Sequence, residues 1–350
     1  MKKIIFLIFV FLLGAGISFA DESHSESSII WTSFVNIVDE SFRFPLIGFV
    51  NIARGSHRLP QLGFINLNEN NFYGFQGGFL NIVGGNFSGA QLSFLNIVGD
   101  NFNGLQGGFL NIAGGNFSGV QLSFLNGVGD NFSGLQAAFL NIVGDNFSGV
   151  QLSFLNGVGD NFNGFQGGFL NIVGGNFSGV QLGFINYVDN IESGIPIGFI
   201  SIVRNGGYRA IEYSFSEFYP INLGFKIGVE KFYTTIIAAY NPSRDFSLEQ
   251  FAFGAGAGSI LSITNSFFFN PELNSLSASL SDGDPQFLSF VPYFGFNINK
   301  SFSVTAGPSV TWVWSNGSKQ KKPFFQIYEN TINNKNSIVI GMRAAMRFRF

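Results

Sequence analysis

Gly89-Ala90-Gln91-Leu92-Ser93-Phe94-Leu95-Asn96-Ile97-Val98, closed by Gly99-Asp100-Asn101-Phe102-Asn103-Gly104, is the unit from which half of the chain is built. Gln returns every 15 residues, at Gln61, Gln76, Gln91, Gln106, Gln121, Gln136, Gln151, Gln166 and Gln181. Asn follows each five residues later, at Asn66, Asn81, Asn96, Asn111 and onward to Asn186, with weaker copies at Asn36 and Asn51. Glycine and asparagine tolerate positive φ, so the closing hexapeptide reads as a turn. About 9–11 extended residues remain between turns, the length a tilted strand needs to cross a bilayer. Units beginning Gln76-Gly77-Gly78 or Gln106-Gly107-Gly108 alternate with units beginning Gln91-Leu92-Ser93 or Gln121-Leu122-Ser123, so a second period of 30 overlies the first. A duplicated antiparallel hairpin leaves that trace, and so does a solenoid copied in pairs of coils.

Side-chain alternation sets Gly89, Gln91 and Ser93 on one face and Ala90, Leu92 and Phe94 on the other. Asn96 rejoins the amide face only if a β-bulge lies at Phe94-Leu95. The amides then line a neutral lumen with lipid outside, or the apolar set fills the inside of a solenoid. No Lys or Arg occurs between Arg58 and Arg204, which suits neither a charged pore nor a well-solvated surface. The turn phenylalanines Phe72, Phe87, Phe102, Phe117 and Phe132 read as interfacial girdles.

Downstream the pattern is a clean period of two. Leu223, Phe225, Ile227 and Val229 oppose Asn222, Gly224, Lys226, Gly228 and Glu230, and Phe302 through Trp314 oppose Ser, Thr and Gly. The final strand sets Ile338, Ile340, Met342, Ala344, Met346, Phe348 and Phe350 against Val339, Gly341, Arg343, Ala345, Arg347 and Arg349. Arginine facing mid-bilayer lipid costs about 2–4 kcal/mol, so this row must face a lumen or headgroups and the apolar row must face lipid.

Composition closes other routes. The chain of 350 residues has 46 Gly, 47 Phe, no Cys and 11% charged residues. Disorder, collagen, a disulfide scaffold and thiolate chemistry are excluded. With 18 basic and 21 acidic side chains there is no electrostatic footprint for nucleic acid. Lys2 and Lys3, the apolar run Ile4 to Leu13 and Ser18-Phe19-Ala20 read as a signal peptide cleaved near Ala20.

A terminal Phe350 closing an alternating strand with Met346 and Phe348 resembles the C-terminal signal read by the barrel-assembly machinery of the bacterial outer membrane. The Gly-x-Gln-x-Gly/Ser-Phe-x-Asn units, running into Gly194-Ile195-Pro196-Ile197-Gly198-Phe199-Ile200, resemble the surface-repeat outer-membrane proteins of spirochaetes and related bacteria. That resemblance implies location and architecture but no reaction. Pro196 stands where the repeat has Gln, which implies a change of character there.

The expected fold is all-β: a single transmembrane antiparallel up-and-down barrel of roughly 20 strands. The alternative is an N-terminal β-solenoid followed by an eight-stranded C-terminal barrel filled by side chains. Residues 1–20 are assigned to the signal peptide, 21–203 to the repeats and 204–350 to the C-terminal barrel strands. Segments 264–287 and 315–336, the latter with Lys319, Lys321 and Lys322, are expected to be surface loops.

Chemical motifs carry little. Gly254-Ala255-Gly256-Ala257-Gly258 lies in an alternating strand with no helix after it, so close strand packing accounts for it. Asp282-Gly283-Asp284 falls short of a Ca²⁺ ligand set, and Asp100, Asp130, Asp145 and Asp160 become Gly at 85, 115 and 175. His57 reads as a solvated turn residue rather than a general base. The expected protein is therefore not an enzyme and needs no cofactor or metal. It is a surface-exposed outer-membrane barrel whose partners are outer-membrane lipid, the assembly machinery, and small solutes or a host surface. A weakly selective porin-like channel lined by the repeat amides is one reading; a non-channel structural or adhesin-like protein is the other.

Overall fold

The structure, a computed structural model, describes residues 17–19, 31–40, 42–242, 250–278, 285–315, 323–333 and 335–350. Apart from Ile17–Phe19, which pairs in parallel with Val35, Asn36 and Ile37, the assigned signal segment and its cleavage point lie outside the described residues. So do Asp282-Gly283-Asp284 and Lys319, Lys321 and Lys322. All described regular structure is strand or turn. The chain divides into two compact units at Gly175/Asn176.

The repeats form a parallel β-solenoid of about 11 turns. Each 15-residue coil contributes two short strands, such as Phe87–Leu92 and Leu95–Val98. Each strand pairs in parallel with its own copy one coil later: Gln91 opposite Gln106 and Asn96 opposite Asn111. The expected single barrel of roughly 20 antiparallel strands is thereby overturned, and the solenoid-plus-barrel alternative describes the molecule. Segments long enough for one membrane strand are instead bent into two strands of 6 and 4 residues.

The slip of phase at Phe94-Leu95 is a corner between those strands, not a bulge. The 30-residue period is a large/small alternation between neighbouring coils: Leu92 Cδ2 lies 2.9 Å from where a Cβ on Gly107 would stand, and Leu152 Cδ2 3.1 Å from that on Gly167. Gly89, Gly104 and Gly119 hold φ of 137°, 129° and 130°. A Cβ there would also run into the carbonyl of the glycine one coil back.

Inside the regular coils sit a Phe, a Gln, an Asn and a Val or Ala, as with Phe87, Gln91, Asn96 and Val98. Leu92 and Phe94 are exposed on the outside. The coil thus has amides within and much of its apolar set without, contrary to the apolar inside expected of a solenoid. The turn phenylalanines are not girdles. Phe72 through Phe162 form a buried column of stacked rings with centroids 4.6–5.3 Å apart.

From Tyr208 the chain is an antiparallel barrel of eight strands: Tyr208–Phe215, Ile221–Val229, Phe232–Tyr240, Phe251–Gly258, Phe267–Ser277, Gln286–Asn297, Phe302–Trp314 and Asn336–Arg349. The last pairs with the first, Arg347 opposite Glu212, which closes the cylinder. Segment 264–287 is not a loop, because Phe267–Ser277 is a full wall strand. Within 315–336, Tyr328–Asn333 is a short strand paired with the closing one. Gly254 and Gly256 admit close approach of Ser275 and Asn274 across the wall, the packing role expected of that glycine run.

Alternation sorts the wall as expected for most rows. Leu223, Phe225, Val310, Trp312, Met342, Met346 and Phe348 point outward and are exposed, while Lys226, Thr311, Arg343 and Arg347 point inward and are buried. Val229 breaks its row and is buried, one residue after Gly228 with its φ of 145°.

Candidate functional site

The nine glutamines and the asparagines singled out from the sequence line no lumen; they are the closed interior of the coils, with Gln61 through Gln181 and Asn66 through Asn111 all buried. Gln76 Nε2 donates to Gln61 Oε1 at 2.7 Å, Gln91 to Gln76 at 2.9 Å and Gln106 to Gln91 at 2.9 Å. The same bond, at 2.7–2.9 Å, repeats through Gln121, Gln136, Gln151 and Gln166. The Asn ladder runs the other way: Asn66 Nδ2 donates forward to Asn81 Oδ1 at 2.9 Å, and Asn96 to Asn111 at 2.8 Å. The second Asn hydrogen reaches backbone one coil on, as from Asn96 to the Gly107 carbonyl at 2.7 Å. Two columns of amide dipoles therefore point in opposite directions. Pro196 stands opposite Gln181 in the register and offers no amide side chain, and Ser201 takes the Asn place, accepting from Asn186 at 3.2 Å.

His57 is not a solvated turn residue. It bridges Phe72 in parallel and is buried in the inner column, 6.4 Å from the Phe42 ring and 5.9 Å from that of Phe72. Burial pushes its imidazole down to about 4, against a smaller raising contribution from a hydrogen bond with Phe42 backbone. It has neither the exposure nor the partner of a general base.

The barrel interior carries a constellation that the sequence reading did not assemble. Glu272 Oε1 accepts from Lys226 Nζ at 2.6 Å, Arg347 Nη2 at 2.8 Å and the Tyr233 hydroxyl at 2.5 Å. Glu212 pairs with Lys226 at 3.3 Å and also with Arg347 Nε. In a second cluster, Glu217 accepts from Arg343 Nε at 3.1 Å and from Ser309, in space left by Gly341. Arg343 also donates to Ser289 at 2.7 Å. Three cations thus meet three carboxylates, all buried. Apolar and aromatic clusters complete the filling: Phe218, Tyr219, Leu276 and Phe287 form part of one, and Tyr208, Tyr233, Ile260 and Phe268 of another. An eight-stranded barrel encloses little more than its own side chains, and these occupy it.

Arg343, Arg347 and Lys226 were legible as inward positions, but apart from Glu212, 14 residues before Lys226 on the neighbouring strand, their partners lie 46 to 135 residues away in sequence. The available signal was a carboxylate at an inward position, such as Glu212 between exposed Ile211 and Tyr213. Met346 and Phe348 are exposed on the outward face of the closing strand, and Phe350 is exposed just past its last residue. Among the described residues no group of three or more His, Asp or Glu could hold a metal ion. No protein-family model, curated protein or solved structure matches the chain.

Proposed function

We propose that the protein is a bacterial outer-membrane protein in which the barrel is a membrane anchor rather than a channel, and the solenoid is the module it holds at the membrane. The observation that carries this reading is the barrel's sorting of side chains. An apolar belt faces out while a charge-balanced, hydrogen-bonded network fills the inside. That filling favours the non-channel structural reading over the porin-like one. Met346, Phe348 and Phe350 would serve recognition by the barrel-assembly machinery, and outer-membrane lipid is the principal partner.

Rim asymmetry supports an orientation. On one rim the connections 230–231, 259–266 and 298–301 have 2, 8 and 4 residues; on the other 216–220, 241–250, 278–285 and 315–335 have 5, 10, 8 and 21, so the two longest lie on the second rim. The chain enters the barrel at Tyr208, on the short-turn rim, where Phe350 N donates to Arg209 O. Short turns face the periplasm in such barrels, so the long loops are the part offered to a host surface or matrix. Reconstitution tests the anchor: protein refolded with lipid vesicles is expected to float with them after an alkaline wash, and extraction by that wash would contradict it.

A further inference from the structure

The solenoid has two chemically different long edges. Along one, Phe94, Phe109, Phe124, Phe139 and Phe154 are 45%, 42%, 45%, 45% and 46% exposed, with ring centroids 4.8–5.2 Å apart. Leu92, Leu122 and Leu152, at 40–41%, widen the stripe. Along the other edge stand the turns, with Asp100, Asp130, Asp160 and the Asn86–Asn101–Asn116–Asn131 amide ladder. The coils' repeat carboxylates are confined to that second edge, and no cation interrupts the first between Arg58 and Arg204.

An exposed apolar stripe of this length marks a contact surface. We propose that the Phe edge is a lipid-contact surface, seated at the headgroup–acyl boundary of the membrane that holds the barrel; this rests on the anchor reading above. Three observations select lipid as the occupant. Segregation of an acid-bearing edge from a phenylalanine edge is the pattern of elements that lie in a membrane interface. A fluid apolar phase needs no register, which suits a row of identical rings. Within the second unit itself, two rings at the same repeat position, Phe184 and Phe199, stack at 5.2 Å, and the Phe199 carbonyl accepts from Thr234 Oγ1 of the barrel wall at 2.9 Å. Thr234 lies on the outward side of its strand, alternating with buried Tyr233 and Thr235. An anchored chain holds the stripe at the bilayer at high effective concentration, so a modest affinity per coil suffices.

The chain has no cysteine, so single nitroxide labels read the edge directly. Full-length Phe124→Cys, Asn131→Cys and Ile236→Cys proteins would be labelled in phosphatidylethanolamine–phosphatidylglycerol vesicles and relaxed with oxygen or a water-soluble nickel chelate. The expected result is several-fold preference for oxygen at 124 and at the barrel control 236, and the reverse at 131. Nickel access at 124 equal to that at 131, with 236 still in lipid, would overturn the lipid edge and leave the anchor standing. Spin–spin broadening at 124 that disappears on dilution with unlabelled protein would place a second copy on the edge and overturn it also. Nickel access at 236 would remove the anchor reading and the proposal together. Phe139→Cys repeats the measurement one coil on, so a folding defect at one position does not decide it.

Discussion

Solenoid and barrel both hide polar side chains and show apolar ones, yet the hidden groups differ in kind. The coils bury neutral amides; the barrel buries Lys226, Arg343 and Arg347 with Glu212, Glu217 and Glu272. Translation explains the difference. In a solenoid every side chain meets its own copy one coil away, so a buried group must be its own partner. Gln and Asn carry donor and acceptor together and satisfy that demand. A charge cannot: two like charges about 5 Å apart repel by roughly 3 kcal/mol even at an effective dielectric of 20. The barrel has no repeat, so each buried cation can face a carboxylate from a different strand.

Breaking the charged interior has the largest expected effect. Glu272→Ala leaves Lys226 and Arg347 short of a partner in the middle of the barrel and is expected to cost about 3–5 kcal/mol, read as a lowered midpoint of heat-induced barrel unfolding. In the coils, Gly119→Val adds side-chain bulk at a φ of 130° and against the carbonyl of Gly104. A loss of about 2–4 kcal/mol is expected in the β-sheet melt. Gly127→Ala is the control, because nothing lies within 4 Å of its added Cβ, and its melt should match the parent.

Removing one rung is milder. Gln121→Ala strands the Gln136 donor and the Gln106 acceptor, with an expected cost of about 1–3 kcal/mol in the same melt. An unchanged midpoint would show that the ladders follow from the backbone register without adding to it.

The smallest effect is pH-dependent and confined to the first coils. His57 holds its proton less tightly folded, at about 4, than unfolded, at 6.5. The unfolded chain therefore binds more protons as pH falls, and the stability of this region should decline from pH 6.5 toward 4. His57→Phe continues the ring column without a titrating group, so local hydrogen exchange near residue 57 should lose that decline.

Much of the barrel could be read from the sequence, because a wall with exposed apolar side chains on one side and a packed polar interior on the other writes a period of two. The Arg343 and Arg347 row against Met342 and Met346 needed no partner to be assigned. The coils were harder for a physical reason. Fifteen residues suit either one membrane strand with a turn or two short strands with a corner, and alternation does not encode whether neighbours run parallel. The decisive features were present but mute: glycine at 89, 104 and 119, where only a backbone at positive φ lies against its own copy, and amides at a spacing that stacks each on itself. Phe102 and His57 were misplaced because a residue beside a turn reads as exposed until the next coil is seen to cover it. The carboxylates of the barrel core were unreadable as a site, since apart from the neighbouring-strand pair Glu212–Lys226 their cations stand far away in sequence.

Single-channel recording tests the central claim, that the molecule is a filled eight-stranded barrel carrying coils and not one wide barrel. Protein refolded in detergent, with β-structure and bilayer insertion confirmed, is predicted to give no large steady conductance steps. Large, steady, weakly selective steps would mean that the repeats line an open lumen, and would contradict it.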